Sequence, residues 1–181
     1  MKRNLSIVLA IMLVISMLAG CGGKTEQPKE TALKLGMAVL PSISGSAAAT
    51  AEAEGKADFD VTVVAVLVDD EGIIRDCIID SVGTSVKFNA NGEPVDFDAA
   101  KAIQTKNELG EAYGMKAYAG SKYEWNEQAA NFASYITNKT VADVAGIALA
   151  ETTKPADGTD LAATVTIAIG GFQALIAKTA K

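Results

Sequence analysis

Residues 58–68 (DFDVTVVAVLV) constrain the fold more than any other stretch, with six β-branched side chains in the eight positions from Val61 to Val68. Branching at Cβ restricts χ1 and suits a pleated strand better than a helix. Asp69, Asp70, Glu71 and Gly72 then form a turn by composition, and residues 73–82 supply a returning strand, so the pair reads as a hairpin. Residues 33–40 alternate toward an apolar end and read as a strand stopped by Pro41. Residues 42–50 read as loop, and 51–56 as a brief helix or more loop. Residues 85–88 and 94–97 flank Asn89, Ala90, Asn91, Gly92 and Glu93, a second hairpin. Four or five antiparallel strands therefore occupy the first half.

The second half changes period. Across residues 121–138, Trp125, Ala129, Phe132 and Ile136 recur at helical spacing, with Ser121 and Glu124 as a capping box. A short helix opens at Thr140, with Asp143 three residues on, and ends near Gly146. Residues 160–181 read as a last helix, Asp160 its N-cap and Lys178 and Lys181 near its C-terminus. Residues 164–167 are strand-compatible as well. Strands followed by helices predict an α+β fold: a small antiparallel sheet in the first half, covered by two or three helices from the second half.

The N-terminus carries an address. Lys2 and Arg3 precede an apolar run over residues 5–19, broken only by Ser6 and Ser16. As a helix that run reaches about 22 Å, short of the ~30 Å hydrocarbon core, and residues 1–20 read as a secretory signal. Leu18, Ala19, Gly20 and Cys21 resemble the bacterial lipobox. That resemblance implies acyl chains on Cys21, a lipidated tether over residues 21–32, a single domain over 33–181, and a place on the outer face of the cytoplasmic membrane. Loss of Lys2 and Arg3 leaves 14 basic residues of 16 against 22 acidic ones, a net charge of −8. Such a domain suits neither nucleic acid nor an anionic leaflet, so the membrane contact falls to the acyl chains. Cys77, in an apolar setting, reads as a small core residue.

Candidate chemistry is narrowed by what the chain lacks. It has no histidine, which excludes Ser-His-Asp and Cys-His nucleophiles and His-ligated zinc or haem. Phosphate-loop, dinucleotide-turn and nucleophile-elbow motifs are also missing. Binding, or redox chemistry carried by a cofactor, is expected over hydrolysis. Tyr113, Tyr118, Tyr123, Trp125, Phe132 and Tyr135 cluster, either as core or as a platform for a planar ligand. Tyr113 and Tyr118 lie in the glycine-rich connection 110–120, where binding residues concentrate. Glu124 and Glu127 read as a solvated helix face, and residues 69–71 as a solvated turn.

Residues 160–166 (DLAATVT), leading through Phe172, Gln173, Ala174 and Leu175, resemble the end of FMN-binding domains of extracytoplasmic flavoproteins. The hairpin over 61–79, with its acidic turn before Gly72, Ile73 and Ile74, is similar to that family's core. In the family a D-x-x-[ST]-G-A-[ST] stretch carries FMN as a phosphate ester. Here Thr164 takes the flavinylated position and Ala163 the alanine before it, while Ala162 replaces the glycine and Leu161 the hydroxyl residue. The resemblance implies FMN held near Thr164 and Thr166, with Tyr113, Tyr118 or Trp125 stacking on the isoalloxazine. It also implies electron transfer with a membrane redox partner. The chain further resembles small lipoproteins of Gram-positive anaerobes, through residues 105–110 (TKNELG), 113–116 (YGMK), 124–129 (EWNEQA) and 139–146. The other reading is a solute-binding or structural lipoprotein without redox chemistry.

Overall fold

A computed structural model describes residues 32–179. The signal segment, Cys21, the tether up to residue 31, and Lys181 lie outside the described residues. Four strands, β1 (Leu33–Ser42), β2 (Gly55–Asp69), β3 (Ile74–Phe88) and β4 (Pro94–Val95), form one antiparallel meander in chain order. The β2–β3 hairpin turns where composition places it, with Gly72 at φ 79 and its N–H donating to the Asp69 carbonyl at 3.0 Å. β3 runs unbroken to Phe88, so residues 85–88 continue the hairpin before pairing with β4. Pro41 does not stop β1, which pairs as far as Ser42 with Asp60. β1 is an edge strand, where a missing N–H is tolerated. Residues 51–54 form no helix.

Two longer helices cover the sheet. α3 (Trp125–Ile136) packs on β3, and α5 (Gly170–Thr179) packs on β1 and β2. Alternation along each strand sends Ala38, Val64, Val66, Cys77 and Ile79 into one core with Phe132, Ile136, Leu175 and Ile176. Shorter pieces complete the α+β fold: α1 (Lys106–Leu109), a 3-10 turn (Gly110–Tyr113), α2 (Met115–Ala119), α4 (Val141–Ala145) and a second 3-10 turn (Leu161–Ala163).

Three local expectations need correction. The N-cap of α3 is Glu124, not Ser121, and its reciprocal partner is Glu127. Ser121 donates instead to the Tyr123 carbonyl at 2.8 Å. The last helix begins at Gly170, ten residues after Asp160, which makes no side-chain cap. Between them Val165, Ile167 and Ile169 are buried in strict alternation, the period of an extended segment. The box of Thr140 and Asp143 on α4 forms as its spacing predicts.

Candidate functional site

The residues expected to hold a flavin are dispersed. Trp125 is buried, its ring edge-on to Phe172 with centroids 6.0 Å apart. Lys106 Nζ lies 5.1 Å from the Trp125 ring centroid and 5.2 Å from that of Tyr113, so the chain's own ammonium joins the two rings. Tyr118 is 91 % exposed, its ring against Gly114. The Thr166 amide and hydroxyl both donate to Gln128 Oε1, at 2.7 and 3.1 Å. The Thr164 hydroxyl donates to the Leu161 carbonyl at 3.4 Å, and its carbonyl accepts from Asn131 Nδ2. Both threonines precede α5 and lie outside its first turn. Tyr113 and Trp125 thus meet through Lys106, and Thr164 and Thr166 both attach to α3. No single cradle unites the five.

Of the acidic residues read as solvated, Asp70 and Glu71 are exposed, whereas Glu124 and Asp69 are buried and structural. Glu124 is 2 % exposed and accepts the amides of Met115 and Lys116 at 2.7 and 3.0 Å, closing the first turn of α2. Glu127 takes Lys116 Nζ at 2.8 Å and the Glu124 amide at 2.7 Å. The ammonium holds the Glu127 carboxyl below its ordinary range, and Glu127 raises Lys116 in return. Asp69 is buried as well, on the amides of Glu71 and Ile73 and the Arg75 guanidinium. These positions are polar because backbone ends need partners, which composition alone does not reveal.

A groove of about 830 Å³ lies elsewhere, between the far end of β3 and the connection from β4 to α1. Gly83, Ser85, Lys87, Phe97, Lys101 and Ile103 contribute to its wall. None of Tyr113, Tyr118, Trp125, Thr164 and Thr166 lines it. Any flavin in this groove would be held by residues other than those the resemblance implies.

The largest departure from an ordinary surface is the face of the sheet turned away from α3 and α5. Met37 pairs with Ala65 and Ala65 with Ile78, so these three sit side by side across β1, β2 and β3. The same face carries Leu33, Leu35 and Val39 from β1, and Phe59, Val61, Val63 and Leu67 from β2. Leu35 is 71 % exposed, Met37 67 %, Ile78 64 % and Phe59 50 %. Two acids flank Ile78, and both turn to the outer edge of β3. Asp76 Oδ1 accepts the Cys77 amide at 2.8 Å, and Asp80 Oδ1 accepts those of Ser81 at 2.7 Å and Asn107 at 3.1 Å. An α+β sheet with helices on one face implies an open side, but the apolar character of that side goes beyond the sequence expectation. Its signal was present: residues 61–68 are apolar on both sides of the strand, a pattern that asks for cover on both faces.

No family model, curated protein or solved structure matches the chain. Among the described residues, no three His, Cys, Asp or Glu side chains group as metal ligands. Among those residues, no helix is long and apolar enough to cross a membrane.

Proposed function

We propose that this chain is an extracytoplasmic, lipid-anchored interaction module that works through the open face of its sheet. One observation carries the reading: exposed Leu33, Leu35, Met37, Val39, Phe59 and Ile78 form a continuous apolar surface on three paired strands. Scattered exposed apolar side chains are ordinary, whereas a contiguous patch marks a surface that something covers. β1, which supplies four of the six, is the strand fed by the tether from Cys21. The test uses the full chain on intact cells, with Cys77→Ser and a single reporter at Leu35→Cys, Ile78→Cys or, as control, Lys122→Cys. A membrane-impermeant maleimide is expected to label the first two at least about tenfold more slowly than the control on cells, and all three alike in dilute purified protein. Equal labelling on cells overturns the reading.

A second reading, flavin carriage for electron transfer, has the groove in its favour. Its volume of about 830 Å³ falls in the range of cofactor sites, and with Lys87 paired to Glu54 it is Lys101, beside Asp96 and Asp98, that would meet a phosphate. FMN titrated into the chain is then expected to bind with its affinity reduced by Lys101→Glu and unaffected by Thr164→Ala. An absorbance titration showing no bound FMN removes this reading. Added FMN mass that disappears in Thr164→Ala would restore covalent attachment.

A further inference from the structure

The open sheet face admits one further step, which rests on the interaction reading: we infer that its occupant is a second copy of the same chain, packed sheet to sheet. Three strands about 4.8 Å apart and ten residues at about 3.3 Å each give a patch of about 14 by 33 Å, on the order of 500 Å². Two such faces in contact remove on the order of 1,000 Å² from water, the scale at which specific interfaces begin.

Shape and charge favour a copy over other occupants. The surface that matches a sheet face at a spacing of about 10 Å is another sheet of the same twist. At the level of Ile78 the strip's only charges are Asp76 and Asp80, and its one basic side chain, Arg75, is spent on Asp69 at the end beside Leu33. A bilayer with anionic headgroups is therefore a poor match.

The register selects one arrangement. A two-fold axis running along β2 lays β1 of one copy over β3 of the other. Met37 of each copy then faces Ile78 of its partner, because both pair with Ala65. Ala65 lies at the axis, where its small side chain permits close approach. Asp76 and Asp80 fall on opposite rims, their carboxylates already drawn to the outer edge by Cys77, Ser81 and Asn107 amides. An axis across the strands would instead stack β3 on β3 and bring four carboxylates together, which like-charge repulsion disfavours. Such a contact is isologous and closes at two.

The experiment uses the full chain in its membrane, in a Cys77→Ser background, with a short bis-maleimide. Ala65→Cys is expected to yield covalent dimer and Lys122→Cys none. Adding Leu35→Asp and Ile78→Asp, both at well-exposed positions, is expected to cut the Ala65→Cys dimer at least tenfold. An unchanged Trp125 emission spectrum would show that the fold survives the added charges. Absence of dimer with Leu35→Cys and Ile78→Cys still shielded on cells overturns the second copy and leaves the interaction reading standing. Absence of dimer with both reporters freely labelled overturns both. Dimer that persists through the two aspartates places the contact elsewhere and overturns the inference.

Discussion

Asp69 and Arg75 lock the β2–β3 turn, with Nε and Nη2 of the arginine each 2.7 Å from Asp69 Oδ2. The other carboxylate oxygen accepts the amides of Glu71 and Ile73, both at 2.9 Å. Arg75 reaches on through Nη1 to Asn138 Oδ1 at 2.7 Å, tying the turn to the end of α3. The Ile73 amide is the main cause that holds Asp69 below the ordinary carboxylate range; Arg75 and Glu71 add to it, and burial opposes it.

A depressed carboxyl gives stability that is present above its unfolded pKa and lost as pH falls through its folded one. Thermal unfolding is therefore expected to be flat from about pH 5 to 8 and to drop below about pH 4. Asp69→Asn is expected to lower Tm at neutral pH by several degrees and to soften the acid drop. Glu127 and Asp143, also depressed, keep part of it. An acid limb unchanged by Asp69→Asn would remove this account.

Gln128 is the polar centre of the helical half. Its Nε2 donates to Ser121 Oγ and the Tyr123 carbonyl, while its Oε1 accepts the amides of Thr166 and Ile167. Gln128→Leu strands the Thr166 and Ile167 amides, while the Tyr123 carbonyl keeps the Ser121 hydroxyl, and each unpaired buried group costs about 1–3 kcal/mol. Urea unfolding is expected to show a loss of about 3 kcal/mol or more. A loss below about 1 kcal/mol would mean that the extended segment does not depend on this side chain.

Gly36 is where α5 comes down on β1. A Cβ there would lie 2.7 Å from both the Cβ and the carbonyl oxygen of Thr179. Gly36→Ala is expected to cost about 1–3 kcal/mol, as overpacking does. The same urea titration measures it, and a neutral result would show that the helix end shifts freely.

The Cys77 thiol is pushed up to about 12, chiefly by burial and then by the charge of Asp76. Thiolate is the reactive form, so a maleimide at pH 7.5 is expected to leave native Cys77 unmodified and to modify it fully in urea. Intact mass reads the result, and labelling of the native chain at the unfolded rate would contradict the burial.

The sheet was legible because residues 58–79 announce themselves at three levels: β-branching, an acidic turn ending in glycine, and an apolar return strand. α3 was legible for the same reason, its apolar positions being long enough in register to show a period. The pieces between Lys106 and Ala119 are four or five residues each, too short to display one. Residues 164–169 misled because apolar content alone does not separate an extended buried segment from a helix, and what holds them extended is Gln128, some 38 residues away. Glu124 and Asp69 misled in the opposite sense, since carboxylates are usually solvated and these two satisfy amides that only the tertiary fold brings to them. That one side of the sheet stays open follows from helices on one face only, whereas its apolar character depends on which residues of β1 and β3 the register sets beside residues 61–68.

The contact between Gly36 and Thr179 also sets an order of events. β1 enters the sheet first, yet its inner face waits for residues 170–179, which leave the ribosome or the translocation channel some 130 positions later. Until then β1 and β2 lack their helix, while β3 can already meet α3. Completion of the native state is therefore a late, long-range closure, slow in the manner of folds rich in distant contacts and open to capture by chaperones while it lasts.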